Sequence, residues 1–328
     1  MRIVIDAMGG DNAPESNVQG ALLAAKEWPD TEIILVGHEA KLRPLLTEQL
    51  PNLRIHHAED EILAEDEPAK AVRRKKASSM VVAGKLVREK EADAMISAGN
   101  TGALVVTGLL VVGRISGIDR PALAPMMPTA DGVGTLALDL GANPDASAQN
   151  LLQFAIMGSL YRSKVDGMAK PRIGLLNVGT EAGKGNELTK AVYPLLESAP
   201  IHFVGSVEAR GVLTRDCDVL VCDGFTGNVM LKAMEGAAGV IFSELKREFK
   251  RSWLTKLSVL PLMSGLKALN RKMDYNSHGA APLLGVNGLV LKSHGSSKAE
   301  TIKNAVRQAR SAVQNKLVEA IASEISEK

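Results

Sequence analysis

Short apolar runs alternate along the chain with longer segments in which apolar residues recur at helical spacing. The runs hold about four to eight residues with little polar alternation, which is typical of strands buried on both faces of a sheet. Examples are RIVIDAM (2–8), EIILVG (32–37), DAMISAG (93–99), PALAPMMP (121–128), TLALDLG (135–141) and RIGLLNVG (172–179). The alternation of strand and helix predicts an α/β fold in which helices sandwich a mostly parallel sheet.

The remaining pattern predicts helices between these runs and after them. They fall at 14–28, 39–47, 78–90, 146–163, 186–198 and 228–250, followed by a strand at 288–294 and a long amphipathic helix at the end. No repeat, low-complexity tract or linker divides the sequence, so we expect a single α/β unit over residues 1–328, with room for two lobes around a cleft. Ligands of such sheets bind beyond the carboxyl ends of the strands.

The composition is that of an ordinary globular protein, with 45% hydrophobic and 23% charged residues. Lysine and arginine number 39 and aspartate and glutamate 37, so the net charge of +2 gives no reason to expect a nucleic-acid partner. Cys217 and Cys222 lie in one strand-like run and cannot easily bridge, which fits a reducing cytoplasm. A signal peptide and a run of roughly 20 apolar residues are both missing, so we expect a cytosolic protein.

Two glycine-containing loops follow apolar runs and precede helical patterns. They read SAGNTG (97–102) and DGFTGN (223–228). The first turn of a helix has unpaired N–H groups and a positive dipole end, so a phosphate binds there when the backbone can approach it closely. The candidate phosphate-binding residues are Asn100, Thr101, Gly102, Gly224, Thr226 and Gly227. The alternative is that both loops are only helix caps and tight turns.

A third loop, NVGTEAGKGNE (177–187), resembles a P-loop but lacks its spacing. A P-loop requires GxxxxGK followed by Ser or Thr, whereas Gly179 and Gly183 are one residue too close and Gly185 follows the lysine. Neither nucleotide hydrolysis nor dinucleotide binding is indicated. Lys184 is a mobile charge suited to an anion or a developing oxyanion, or else a solvated loop lysine.

Other catalytic signatures are missing from the sequence. There is no GxSxG nucleophile elbow, and the six histidines lack metal-ligand spacing, so we expect neither a metal nor another cofactor. His278 and His294 lie beside glycines and are site candidates. Cys222 ends a strand and could be a nucleophile, although a buried inert thiol is the better interpretation. A substrate that is itself a nucleophile, such as inorganic phosphate, needs positioning more than deprotonation.

Eight segments in series resemble one enzyme family. They are DAMGGDNAP (6–14), SAGNTGA (97–103), RPAL (120–123), LDLGAN (138–143), LLNVGTEAGKG (175–185), VCDGFTGNVMLK (221–232), APLLGVNG (281–288) and HGSS (294–297). Together they are similar to the PlsX family of phosphate acyltransferases, which make acyl phosphate from acyl-acyl-carrier-protein and inorganic phosphate. The resemblance implies a fold similar to phosphate acetyltransferase and the isopropylmalate dehydrogenase group. It also implies a homodimer.

The resemblance further implies a place at the start of bacterial phospholipid synthesis. The protein would be cytoplasmic and peripherally associated with the inner face of the cell membrane, near a downstream glycerol-3-phosphate acyltransferase. Our mechanistic hypothesis is direct attack of phosphate on the thioester carbonyl. Lys184 and Asn228 would stabilise the oxyanion, Asp223 would orient one of them, and His278 would assist.

The densest basic run is RRKK, residues 73–76. Acyl carrier proteins are acidic, so Arg73, Arg74, Lys75 and Lys76 form the candidate docking patch. The alternative is a solvated helix face.

Residues 251–274 crowd apolar side chains between basic ones, and Pro261 divides them. This pattern predicts that the segment forms a protruding amphipathic helical hairpin, which lies on a membrane without spanning it. The candidate contacts are Trp253, Leu254, Leu257, Leu260 and Leu262. A dimer contact would bury the same side chains equally well.

Two other functions compete with this hypothesis. One is a phosphate acyltransferase that uses acyl-CoA. The other is a non-catalytic membrane scaffold for lipid-synthesis enzymes, which predicts bilayer binding without phosphate-dependent loss of thioester.

Overall fold

The computed structural model describes residues 1–251, 260–263, 265 and 279–326. Its first sheet has seven strands in the order β3-β2-β1-β4-β12-β11-β5. These strands are β1 (Arg2–Asp6), β2 (Glu32–Gly37), β3 (Leu53–His57), β4 (Ala94–Ser97), β5 (Ala122–Leu123), β11 (Ala281–Leu284) and β12 (Leu289–Lys292). The first four and β12 run parallel, whereas β11 is antiparallel to both of its neighbours.

The second sheet has five strands in the order β6-β7-β10-β8-β9. They are β6 (Met126–Met127), β7 (Thr135–Leu138), β8 (Arg172–Leu176), β9 (His202–Val207) and β10 (Val219–Val221). All pairs are parallel except that of the edge strand β6 with β7. The mostly parallel pattern that the buried runs predicted is therefore present, but it is divided between two sheets.

Helices connect the parallel strands and pack on the sheets. They are α1 (Glu15–Glu27), α2 (Glu39–Leu42), α3 (Pro68–Arg74), α4 (Ser79–Arg88), α5 (Thr101–Thr107), α6 (Ala148–Lys164), α7 (Glu187–Ser198), α8 (Ala209–Val212), α9 (Gly224–Lys250), α10 (Ala299–Gln314) and α11 (Leu317–Ser326). A π-helical turn, Gly108–Val112, continues α5. Within the described residues, no helix is both long and apolar enough to cross a membrane.

One hydrophobic core joins the two sheets. It includes Ile5 of β1, Leu136 of β7 and Ile173 of β8, with Phe154 and Tyr161 of α6 between them. The side chains are almost all aliphatic, as the low aromatic content of the sequence requires. This shared core fixes the carboxyl ends of the two sets of strands relative to each other.

Four predicted elements differ from those in the structure. The single long helix predicted at the end of the chain is divided into α10 and α11, because Lys316 has a left-handed φ of 52°. Residues 121–128 form two short strands in different sheets, because Pro125 has no N–H for a continuous ladder. The helix predicted at 39–47 ends at Leu42, since Pro44 cannot continue its hydrogen bonding. The helix predicted from residue 228 begins at Gly224.

Candidate active site

Three parallel strands end side by side at one edge of the first sheet. In the strand register Ser97 of β4 pairs with Asp6 of β1 on one side and with Lys292 of β12 on the other. All three side chains are buried. A row of polar groups therefore lies at the carboxyl edge, where ligands of parallel sheets bind.

Hydrogen bonds join two members of this row. The Ser97 hydroxyl donates to Oδ2 of Asp6 at 2.6 Å, and the N–H of Gly99 donates to Ser97 Oγ at 3.0 Å. Burial raises the pKa of Asp6, while hydrogen bonds from Ser79 and Ser97 oppose that shift. These hydrogen bonds hold residues 97–99 against the end of β1.

Lys292 is the third member of the row and is only 9% exposed. Its Nζ donates to the carbonyl of Ser293, and a longer contact of 3.5 Å reaches the carbonyl of Ala98. Burial lowers the pKa of Lys292 to about 8, although the charges of Asp11 and Asp6 oppose the shift. A lysine of this kind gives up its proton far more readily than a solvated one.

A cavity of about 340 Å³ opens above this row. Thr101, Lys292 and His294, from the carboxyl edge of the first sheet, line it. Asn228 and Lys232 of α9 line it as well. The apolar lining residues are Leu123, Pro125, Met126, Leu140, Leu231, Ala280 and Ala281. The cavity therefore combines an apolar lining with polar groups, as ligand sites commonly do.

The SAGNTG loop enters this cavity through Thr101. Asn100 caps α5, because its side-chain oxygen accepts from the N–H of Ala103 at 3.0 Å. The Asn100 side-chain nitrogen donates to the carbonyl of Ala64 at 2.9 Å and to that of Asp66 at 3.1 Å. These bonds occupy the Asn100 amide with protein, so what remains exposed to a ligand is the start of the helix at Thr101.

Gly102 has a packing role that the sequence did not suggest. A Cβ on it would lie 2.6 Å from Cγ of Pro68, the first residue of α3. The absence of a side chain at Gly102 therefore lets α3 pack closely against it. It does not serve to open a path for phosphate. Binding of phosphate by the N–H groups of Thr101 and Gly102 stays a prediction.

The DGFTGN loop forms the first turn of α9 and packs on the 139–143 loop. The N–H of Gly224 donates to the carbonyl of Asn143 at 2.9 Å. A Cβ on Gly227 would overlap the carbonyl oxygen of Asp139. Both glycines let the helix approach backbone closely, and the amide of Asn228 projects into the cavity at the next position.

Asp223 is the N-cap of α9. One carboxylate oxygen accepts from the N–H of Thr226 at 2.8 Å and the other from its hydroxyl at 2.7 Å. The carboxylate thus fixes Thr226, and the described residues include no bond from it to Lys184 or Asn228. That Asp223 orients Lys184 or Asn228 stays a prediction. It would act through the start of α9, which its carboxylate stabilises.

Asp139 stabilises the loop on which the start of α9 packs. Its carboxylate accepts from the N–H groups of Gly141 and Ala142, each at 3.1 Å, and of Asn143 at 2.6 Å. Burial raises the pKa of Asp139, whereas these N–H groups oppose the shift. The loop under α9 is therefore held by a closed set of hydrogen bonds.

Lys184 lies outside the cavity lining. It sits in the loop after β8, exposed, with Nζ 3.8 Å from Oε1 of Glu181. Its carbonyl accepts from the side chain of Asn177 at 3.1 Å, which fixes the loop backbone. The structure therefore brings Asn228 and Thr101 to one cavity and leaves the Lys184 side chain outside its lining.

Cys222 has the environment of an inert thiol. It is buried, and its Sγ donates to the carbonyl of Asp139 at 3.2 Å. Burial raises the pKa of the Cys222 thiol well above its usual range. A nucleophilic role needs the thiolate, which this site disfavours.

The basic run 73–76 lies at the end of α3. The ammonium group of Lys75 is already bonded within the protein, because its Nζ donates to Asp66 at 2.7 Å and to the carbonyl of Glu61 at 2.9 Å. Arg73, Arg74 and Lys76 are exposed. Docking of a partner on these exposed side chains stays a prediction.

The other candidate residues fall partly outside the described residues. His278, Trp253, Leu254 and Leu257 lie outside them. Leu260–Leu262 forms a short 3₁₀ helix in which Leu262 is 60% exposed. In the described ranges, no cluster of three or more His, Cys, Asp or Glu side chains could hold a metal ion.

Sequence reasoning missed Lys292 and Asp6 as members of the site. Each stands at the end of an apolar strand, in RIVID and LVLK. A charged residue closing a strand that is otherwise buried is the signal that could have found them.

Comparison with known proteins shows the family to which the chain belongs. The profile of a family described as "Fatty acid synthesis protein" matches residues 1–320. A phosphate acyltransferase of Halalkalibacterium halodurans is 53% identical over 326 residues, covering 99% of this chain and 97% of that protein. A phosphate acyltransferase of Brevibacillus brevis is 55% identical over 322 residues, covering 98% and 96%.

Solved structures with low identity share the fold. A phosphotransacetylase from Streptococcus pyogenes has a TM-score of 0.58 at 18% identity, covering 96% of this chain and 94% of its own. A branched-chain phosphotransacylase from Enterococcus faecalis V583 has a TM-score of 0.58 at 15% identity, covering 95% and 99%. The predicted α/β fold, with its similarity to phosphate acetyltransferase, is confirmed.

The fold and the relatives together define an α/β enzyme of the acyl-transferring class. The chain belongs to the phosphate acyltransferase family, the PlsX family that its motifs resemble.

Proposed function

We propose that the protein moves a fatty acyl group from acyl-acyl-carrier-protein to inorganic phosphate, giving acyl phosphate for phospholipid synthesis. The observation that carries this proposal is the cavity, which combines apolar side chains with the start of a helix. An acyl chain fits the former and a phosphate the latter. Both substrates would meet at the carboxyl edge of the first sheet.

In the proposed reaction a phosphate oxygen attacks the thioester carbonyl carbon. The new carbon–oxygen bond forms, the carbon–sulfur bond breaks, and the electron pair leaves on the thiolate of the carrier. Thr101 and the N–H groups around Gly102 hold phosphate. The leaving thiol has a pKa near ~8.5, so it needs little acid assistance.

Asn228 and Lys184 stabilise the oxyanion in this proposal. The Asn228 amide lines the cavity and has no hydrogen-bond partner within the described residues, so it can donate to a developing charge. Lys184 reaches the cavity only if its exposed side chain leaves Glu181. His278 is proposed to assist them.

The proposal includes a homodimer that binds acyl carrier protein through the basic run at 73–76. It also includes peripheral attachment to the inner face of the cell membrane, where a glycerol-3-phosphate acyltransferase would use the product. The exposed Arg73 and Arg74 support the docking step. The exposed Leu262 supports the membrane contact.

The test is incubation with palmitoyl-acyl-carrier-protein, with and without inorganic phosphate, while thiol release and acyl phosphate are measured. We expect phosphate-dependent thiol release with stoichiometric acyl phosphate. Release only with palmitoyl-CoA as donor would favour the CoA-dependent enzyme. Release with neither donor, from folded protein that still floats with liposomes, would favour the scaffold.

A further inference from the structure

Lys292 is the buried charge for which the proposed reaction has so far no role. It ends β12, level with Ser97 and close to Asp6, where a lysine must lose most of its hydration. Desolvation of an ammonium group is costly, and proteins keep such groups buried mainly where a partner or a function compensates. The buried charge of Lys292 therefore needs a group that compensates it.

Protein atoms satisfy the ammonium group only in part. Two of its three N–H donors are accounted for by the carbonyls of Ser293 and Ala98, which carry no net charge. Within the described residues, no carboxylate oxygen forms an ion pair with Nζ, and Asp11 and Asp6 act on it only through space. One donor and most of the charge remain for a ligand in the cavity that Lys292 lines.

We propose that Lys292 is a catalytic residue whose ammonium group binds the phosphate substrate in this cavity. The inference rests on the proposed function and names the cation of that site. Thr101, the first residue of the helix that follows the neighbouring strand β4, lines the same cavity and offers a hydroxyl and a helix-start N–H to the same anion. The ammonium and the helix start would hold phosphate from two sides.

The surroundings of Lys292 favour an inorganic anion over the acyl chain. The charged and titratable groups that face the cavity or act on Lys292 are Asp6, Asp11, His294, Lys232 and Glu235. Lys232 and Glu235 pair with each other at 2.8 Å on α9. The phosphate dianion therefore finds its least compensated positive charge at Lys292.

Phosphate binding should consequently depend on the protonation of Lys292. The lysine carries its proton below about pH 8 and loses it above that value. Because the anion binds the protonated form, its affinity falls as pH rises, by about 25-fold from pH ~7.5 to ~9.5. Inorganic phosphate is mostly dianionic at the lower pH and becomes more so as pH rises, so its own ionisation does not produce the fall.

The experiment compares wild type with Lys292→Met, Lys292→Arg and the control Lys298→Met. Lys298 is exposed, outside the cavity lining and six positions further along the chain, so its replacement removes the same charge elsewhere. Phosphate binding is measured by calorimetry at pH ~7.5 and ~9.5, and the KM for phosphate and for acyl donor by thiol release.

We expect Lys292→Met to weaken phosphate binding and raise the phosphate KM at least tenfold, with little change in the KM for acyl donor. Its binding should also lose the pH dependence, Lys292→Arg should restore part of the affinity, and Lys298→Met should behave as wild type. Folded Lys292→Met with wild-type phosphate affinity would overturn the inference. Should that variant fail to fold, an affinity of wild type that stays flat to pH ~9.5 would overturn it instead.

Failure of the proposed function has a different signature. Wild type would then release no thiol with any donor in the presence of phosphate. Calorimetric binding of phosphate alone, and its dependence on Lys292, would still decide the inference.

Discussion

Asn228 is the residue whose position best matches its proposed chemistry. It follows Gly227 on α9, and its side chain lies beside Gly141, where an added Cβ would be 3.7 Å from Asn228 Cγ. Backbone at 139–143 holds the helix start in place, so the amide is positioned before substrate arrives. Preorganised donors of this kind are the largest single contribution in many acyl-transfer sites.

Replacement of Asn228 by Ala should lower kcat about 10²- to 10³-fold, because it removes a donor to the oxyanion. The phosphate KM should change much less. Steady-state thiol release measures both constants. A variant that keeps near-normal turnover would show that the amide does not face the oxyanion.

Lys184→Ala tests the second oxyanion donor. Since Lys184 is exposed and outside the cavity lining, we expect a loss in kcat only if its loop closes over bound substrate. A decrease of about 10-fold or more would support that role. Lys190→Ala is the matched control, because Lys190 is also an exposed lysine just beyond the same loop, on α7. Equal turnover in the two variants would remove Lys184 from the mechanism.

At the scale of elements, α9 depends on glycine only at its first turn. Gly227→Ala should destabilise the protein by about 1–3 kcal/mol, because the Cβ would overlap the Asp139 carbonyl. Gly236→Ala on the same helix meets open space and should stabilise by up to ~1 kcal/mol. Urea unfolding of the two variants checks the contrast. Equal changes in the free energy of unfolding would mean that α9 does not pack closely against the carbonyl of Asp139.

The basic end of α3 gives a second prediction for an element. Arg73→Glu with Arg74→Glu should raise the KM for acyl-acyl-carrier-protein about three- to tenfold at low salt, because the docking charges are reversed. The KM for acyl-CoA should not change. Lys170→Glu with Lys190→Glu, both exposed elsewhere, is the control for net charge. An equal rise in that control would favour a solvated helix face at 73–76.

At the scale of the whole molecule, the proposed membrane contact is tested at Leu262, which is 60% exposed. Leu262→Glu should weaken flotation with anionic liposomes by about tenfold, because insertion of one leucine contributes ~1.5–3 kcal/mol. Leu110→Glu replaces another leucine, 56% exposed and on a different surface, and should leave flotation unchanged. Unaltered flotation of Leu262→Glu, together with a lost dimer on gel filtration, would indicate the dimer contact instead.

The shared core explains why residues of both sheets can line one cavity. Thr101, Lys292 and His294 come from the first sheet, whereas Leu140 follows β7 of the second. Strands of both sheets and the side chains of Phe154 and Tyr161 of α6 belong to the same hydrophobic core. Both proposed substrates would therefore meet between the two sheets.

Local pattern was enough to predict much of this protein. The uninterrupted apolar runs indicated parallel strands, since both faces of each strand are buried, and the loop glycines indicated close approaches at helix starts. Asn228 and Thr101, predicted as site residues, do line one cavity. What the glycines at 102 and 227 approach, however, is protein backbone and Pro68, which only the packed structure shows.

The tertiary structure alone placed Lys292 in the site and divided the strands between two sheets. Strand order β1-β4-β12 brings residues 6, 97 and 292 level with one another, although they are far apart in the chain. Periodicity reports which face of a strand is buried, but it carries no information about which strands become neighbours. Neighbours are decided by how the whole set of helices and sheets closes its core, and the chemistry at the strand ends follows from that choice.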